Sequence, residues 1–76
     1  MSPKLPRITA AELMRALRRD GWGQARQSGS HVISKHPTKS GYVIVPMHTR
    51  VILKLKTLQT ILSQAGLTPE DLRGLL

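Results

Sequence analysis

The chain of 76 residues has no cysteine and no phenylalanine, and a single tryptophan and tyrosine. Without cysteine there is no disulfide framework and no thiolate metal site. Small secreted domains usually depend on such a staple, so its absence points to a cytoplasmic protein. Trp22 and Tyr42 are the only aromatics, 3% of the chain, too few for a binder that stacks successive bases on several rings. No apolar run is long enough to span a bilayer, and the N-terminus lacks a signal-type apolar segment, so no membrane partner is expected. Acidic residues are scarce: Glu12, Asp20, Glu70 and Asp71. Three of them fall near helix starts and Asp20 near a helix end, where capping and dipole roles account for them. With no acidic pair between the strands, two-metal hydrolysis and carboxylate acid–base pairs have little support. A glycine-rich phosphate loop is absent. So are internal repeats, linkers and low-complexity segments.

Basic residues are plentiful by contrast. Twelve Lys and Arg against four Asp and Glu give a net charge of +8. A charge this large on so small a body favours polyanions: nucleic acid, an acidic protein or an anionic membrane. The apolar fraction of 39% is enough for one core and too much for a disordered tail. Residues 1–76 therefore read as a single small domain, which buries only roughly 60% of its unfolded surface.

The lead-in, with Pro3 and Pro6, reads as extended. Thr9 and Glu12 have the spacing of a capping box. Ala10, Leu13, Met14 and Leu17 then mark one buried helical face, with Arg15, Arg18 and Arg19 outside or at the flank and Gly21 as the stop. After that the period changes. Trp22 to Gln27, Ser30 to His36 and Tyr42 to Val45 read as three short strands, separated by turns at Ser28-Gly29 and at Pro37 to Gly41. Val32-Ile33 and Val43-Ile44-Val45 place apolar groups on both faces, so alternation does not assign the faces. Met47 to Lys56 reads as a loop or ragged strand. Thr57 is expected to cap a second helix with Leu58, Ile61, Leu62 and Ala65 inside and Gly66 at its end. Thr68 and Pro69 open a short third helix. The expected fold class is α+β: a three-stranded antiparallel sheet with two helices packed on one face, and a short C-terminal helix.

With carboxylate and phosphate-loop chemistry set aside, the histidines remain: His31, His36 and His48. Their spacings of five and twelve include no helical i, i+4 pair, so no metal site and no cofactor is expected. A histidine can give and take protons near neutrality. RNA brings its own nucleophile, the 2′-hydroxyl, so a base and phosphate-holding cations suffice for strand cleavage without a metal. Arg26, Lys35, Lys39 and Arg50 lie near the histidines in sequence and could supply phosphate contacts. For the residues alone, an ordinary turn or strand histidine is as good a reading of His31 as a proton-transfer group. His36, before a proline at a strand end, reads as structural or solvent-exposed, His48 as structural or phosphate-contacting, and Trp22 as a core lid. Ser30 could bond within its own turn or to the histidine.

Several motifs, in order, resemble the HicA-type (YcfA-like) toxins of bacterial toxin–antitoxin pairs. They are G-W at Gly21-Trp22, R-Q-x-G-S-H at Arg26 to His31, H-P at His36-Pro37, V-I-V-P-x-H at Val43 to His48, and T-L-x-x-I-L-x-x-A-G-L at Thr57 to Leu67. The resemblance covers about Ile8 to Leu72. It implies a fold like the double-stranded-RNA-binding domain, α-β-β-β-α. It also implies an endoribonuclease acting on mRNA, held inactive by a HicB-type antitoxin. On this resemblance His31 is the catalytic histidine, presented by a turn containing Ser28 and Gly29. Arg26, Ser30, Lys35, Lys39 and Arg50 are the candidate RNA-binding residues. One segment departs from the family pattern. R-V-I-L-K-L-K-T-L carries Val51, Ile52 and Leu53, and has Lys56 where the family usually has a glycine. The same order and charge also suit a non-catalytic basic module that binds double-stranded RNA by shape.

Overall fold

Thr9 sets the start of the first helix, α1 (Ala10–Asp20). Its hydroxyl accepts from the Glu12 N–H at 3.2 Å, and the Glu12 carboxylate accepts from the Thr9 N–H at 3.0 Å. Two otherwise orphaned donors are satisfied in this way. Ala10, Leu13, Met14, Ala16 and Leu17 are buried, as the 3.6-residue period requires. Gly21 ends the helix in a left-handed conformation, φ 108°, a region that a side chain would strain. The structure, a computed structural model, describes residues 5–47 and 50–76.

Three antiparallel strands follow: β1 (Gly23–Ser28), β2 (His31–Lys35) and β3 (Val43–Pro46), in spatial order β1-β2-β3. Register settles the faces that alternation left open. Val32 pairs with Val45 and Ser34 with Val43, and all four are buried. His31, Ile33 and Lys35 therefore point the other way, with Ile44 beside Ile33. The pairing of β1 with β2 slips between Gln24 and Arg26, a bulge that sharpens local twist. No residue of β1 is buried, so this strand overhangs the helical layer.

The second helix, α2 (Leu55–Ala65), begins two residues before the expected cap. Lys54, not Thr57, is its N-cap, in extended conformation and without a side-chain cap bond. A lysine side chain has no acceptor to offer; the first intrahelical bond runs instead from the Leu58 N–H to the Lys54 carbonyl, at 3.0 Å. The preceding segment is tied to the start of α1, since the Leu53 N–H bonds the Ile8 carbonyl at 2.8 Å and Ile52 bridges Thr9. A Thr68–Asp71 capping box and Pro69 open α3 (Pro69–Leu75). Leu13, Leu17, Trp22, Val43, Val45, Leu58, Ile61, Leu62 and Leu72 form one core between the helices and the inner sheet face. The strand ends also differ by a residue or so from the expected ones: Ser28 belongs to β1 and Pro46 closes β3. The class is the expected one, α+β with the α-β-β-β-α order of a double-stranded-RNA-binding domain and a third short helix.

Candidate functional site

The β1–β2 hairpin is closed by two residues, Gly29 and Ser30, because Ser28 pairs directly with His31. Gly29 has φ 59° and is followed by a residue of negative φ, the type II′ pattern that fits strand twist and calls for glycine first. Two bonds hold the turn. The Gln27 side-chain amide donates to the Gly29 carbonyl at 3.0 Å, and the Met47 N–H donates to the Ser30 carbonyl at 2.6 Å. The Ser30 hydroxyl takes no part in either. His31 is thus the first residue of β2, fixed by a hairpin on one side and by Pro46 of β3 on the other.

The outer face of the sheet carries His31 at one end and Lys35 at the other, about 13 Å apart at roughly 3.3 Å per residue. Arg26 pairs with Ile33 and lies with Ile33, Tyr42 and Ile44 around a shallow apolar hollow of about 260 Å³. Lys35 Nζ stands 5.4 Å from the centre of the Tyr42 ring, a cation–π distance. His31 is exposed, and its imidazole makes no hydrogen bond among the described residues. Of the candidate residues, His31, Arg26 and Lys35 share this face, and Ser28, Gly29 and Ser30 form the hairpin end that bears the histidine.

Lys39 stands apart from them. Its ammonium pairs with Asp20 at 2.7 Å and donates to the Ala65 carbonyl at 2.9 Å, so it fastens α1 to the end of α2. Asp20 also accepts from the Trp22 indole at 3.2 Å. Its carbonyl lies 2.6 Å from His36 Nε2, while the Thr38 and Lys39 N–H groups donate to His36 Nδ1 at 3.1 Å each. His36 meets the Trp22 ring edge-on at 5.2 Å. The G-W and H-P motifs thus meet in one structural latch, and Trp22 is the core lid that its position suggests, 2% exposed. Arg50 is exposed in the β3–α2 loop with a left-handed backbone, φ 67°. His48 lies outside the described residues.

Two cations that the sequence placed merely on the outside of a helix also line a concave surface. Arg15 and Arg18, with Ala11, Met14, Gln24, Val32 and Met47, surround a groove between α1 and the overhanging hairpin. The available signal was their i, i+3 spacing, but only the position of β1 turns it into a groove. Nearby, hydrogen bonds from the Thr9 backbone and then its hydroxyl, with the field of Arg15, hold the Glu12 carboxyl below its ordinary range. Among the described residues no three histidine, aspartate or glutamate side chains gather to hold a metal ion. No described helix is long and apolar enough to cross a membrane.

The family model described as the HicA toxin of bacterial toxin–antitoxin matches residues 10–67. The chain belongs to the HicA toxin family. It is therefore a toxin of a toxin–antitoxin pair, and an antitoxin is its partner. No curated protein matches the chain. The matched span runs from the start of α1 to just past α2. It takes in the hairpin, the latch and the outer sheet face, and it stops before α3.

Proposed function

We propose that this HicA toxin is an endoribonuclease that cleaves mRNA with His31 as general acid–base, and that a HicB-type antitoxin restrains it. The observation that carries this reading is the exposed His31 imidazole, unengaged at the end of a fixed hairpin. Arg26 and Lys35 on the same face supply cations for the phosphates. Ser30 and Arg50, both exposed, are further RNA contacts in this reading. Lys39 is already held by Asp20 and contributes through the fold.

In the reaction, the 2′-oxygen attacks the adjacent phosphorus. The O2′–P bond forms and the P–O5′ bond breaks. The 2′-hydroxyl proton passes to the His31 imidazole, and the departing 5′-oxygen takes a proton from that imidazolium or from water. Products are a 2′,3′-cyclic phosphate and a 5′-hydroxyl. The RNA supplies the nucleophile, so no metal is needed. A positioned acid or base contributes typically ~10²- to 10⁴-fold.

The test is purified toxin on single-stranded RNA with a chelator present. Cleavage is expected to persist, and His31→Ala is expected to lose about 10²- to 10⁴-fold. Activity that vanishes with chelator and returns with metal refutes the histidine mechanism. A His31→Ala protein cutting at the wild-type rate refutes the residue assignment. Tight binding of double-stranded RNA with no cleavage at excess protein would favour the non-catalytic module.

A further inference from the structure

The groove between α1 and the hairpin has no role in the chemistry at His31. Its volume is about 250 Å³. One wall is the exposed stripe Ala11, Arg15 and Arg18, which are neighbours on a helix surface at spacings of three and four. The facing wall is Gln24 of the overhanging strand β1, and the floor is Met14, Val32 and Met47. Neither arginine makes an ion pair or hydrogen bond among the described residues. The Glu12 carboxylate, one turn before Arg15, is held by the Thr9 cap. Charge elsewhere is arranged differently. Asp20, Glu70 and Asp71, three of the four acidic residues, line one cavity with Lys39 on the α3 side. The groove thus presents two guanidinium groups without an ion pair among the described residues, Arg15 sharing only its field with the Glu12 carboxylate, on a molecule whose negative charge is largely gathered elsewhere.

Its position relates it to the hairpin. Val32 forms part of its floor and directly follows His31, with the two side chains on opposite faces of β2. Met47, also in the floor, is bonded to the turn residue Ser30. A strand that passes around the hairpin end therefore meets His31 on one side and the arginines on the other.

We infer that this groove holds the backbone of single-stranded RNA flanking the cut, with Arg15 and Arg18 on successive phosphates and Gln24 completing the far wall. The inference rests on the reading of the protein as an RNA-cleaving toxin. Guanidinium groups suit phosphate oxygens because two N–H donors match two acceptors. The apolar floor gives a ribose or base edge a dry contact.

The test is binding of a single-stranded oligoribonucleotide by the full chain across a salt series, in a His31→Ala background so that the RNA stays whole. Each phosphate contact to a single strand contributes about 0.7 to the slope of log affinity against log salt. The double variant Arg15→Gln/Arg18→Gln should lower that slope by about 1.4 and weaken binding roughly tenfold or more at low salt. Glutamine keeps helix propensity close to that of arginine, and thermal melting checks the fold. The control is Lys54→Gln/Lys56→Gln, which removes the same charge from exposed positions at the start of α2. It should change the slope far less. Equal effects of the two doubles would reduce the groove to a share of net charge and overturn the inference. So would an unchanged slope in the arginine double, which leaves the cleavage reading intact if the His31 protein still cuts. Poly-L-glutamate serves as the protein-like polyanion. If the arginine double loses affinity for it but not for RNA, the groove faces an acidic protein and the inference fails. A wild-type chain that neither binds nor cuts RNA overturns both readings together.

Discussion

Two histidines bracket strand β2, and their surroundings could hardly differ more. His31 opens the strand, exposed and without a hydrogen bond among the described residues. His36 follows its last residue with both ring nitrogens committed. Backbone N–H groups of Thr38 and Lys39 point at Nδ1, which must accept, and the Asp20 carbonyl faces Nε2, which must carry the proton. One tautomer of His36 is fixed by groups that cannot exchange roles. The same side chain is thus a bolt at one end of the strand and an exposed imidazole without a hydrogen bond among the described residues at the other. What separates them is the number of fixed partners.

The largest expected effect comes from exchanging the question between them. His31→Ala should remove about 10²- to 10⁴-fold of cleavage with no loss of melting temperature. His36→Ala should do the reverse. It strips hydrogen bonds and the edge contact to Trp22, costing about 2–3 kcal/mol, while the fraction that stays folded cuts normally. Melting curves beside rate measurements check both. A large drop in cleavage by fully folded His36→Ala would end the division of labour. Gly21→Ala attacks the bolt from the other side. A Cβ there would sit 2.6 Å from His36 Nε2, at a φ of 108°, and should cost on the order of 3 kcal/mol. The clash needs the imidazole and the backbone strain does not. In a His36→Ala background the substitution should therefore cost clearly less. Strict additivity would mean that the strain at φ 108° is the whole effect.

This division was only half legible in the sequence. The helices were, because Leu13, Met14, Leu17, Leu58, Ile61 and Leu62 repeat at helical spacing and Thr9 and Thr68 carry their capping partners three residues on. The start of α2 was not. Thr57 has the chemistry of a cap, but the bridge of Ile52 to Thr9 and the bond from Leu53 to Ile8 carry the chain into the helix three residues sooner, with Lys54 as the cap. Sheet faces were hidden too. Ile33 and Ile44 are as apolar as their buried neighbours, and only the pairing register shows that they lie outside with Arg26. Lys39 looked like a phosphate contact because sequence distance to His36 is short. Its ion pair with Asp20, nineteen positions away, could not be read from spacing. The Arg15–Arg18 groove was invisible for the same reason, since a helix face becomes a wall only when another element stands opposite.

A pH–rate profile of the two histidines needs a scaffold that survives acid, and the Thr9–Glu12 cap bears on that. Bonds from Thr9 hold the Glu12 carboxyl below its ordinary range, and bonds from Thr68 do the same for Asp71. Each unfolded carboxyl binds its proton more readily than the folded one. Their contribution is therefore present above the ordinary carboxylate pKa of about 4 and is lost as pH falls through the lower folded values. Thr9→Ala should cost about 1 kcal/mol near neutrality, and the gap from wild type should narrow below about pH 4. Chemical denaturation at several pH values measures it. A gap that stays constant into acid would mean that the cap works through the hydroxyl alone.

Ser34 completes the comparison, because it lies on the same strand and has neither of the histidines' circumstances. It is 0% exposed, and its hydroxyl has no hydrogen-bond partner among the described residues. An unsatisfied buried hydroxyl carries a desolvation penalty of about 1–3 kcal/mol, partly offset by packing of the oxygen. Alanine keeps the shape of the site and removes the penalty. Ser34→Ala should therefore stabilise the protein by up to about 1 kcal/mol, a rise in melting temperature of roughly 4–8 °C at most for a domain this size. Cleavage should not change, because the side chain faces the core and His31 faces outward. A lower melting temperature would show that the hydroxyl has a bonding partner in solution. Polar groups of β2 would then be satisfied wherever they are buried, and His31 would stand as the strand's one unengaged group.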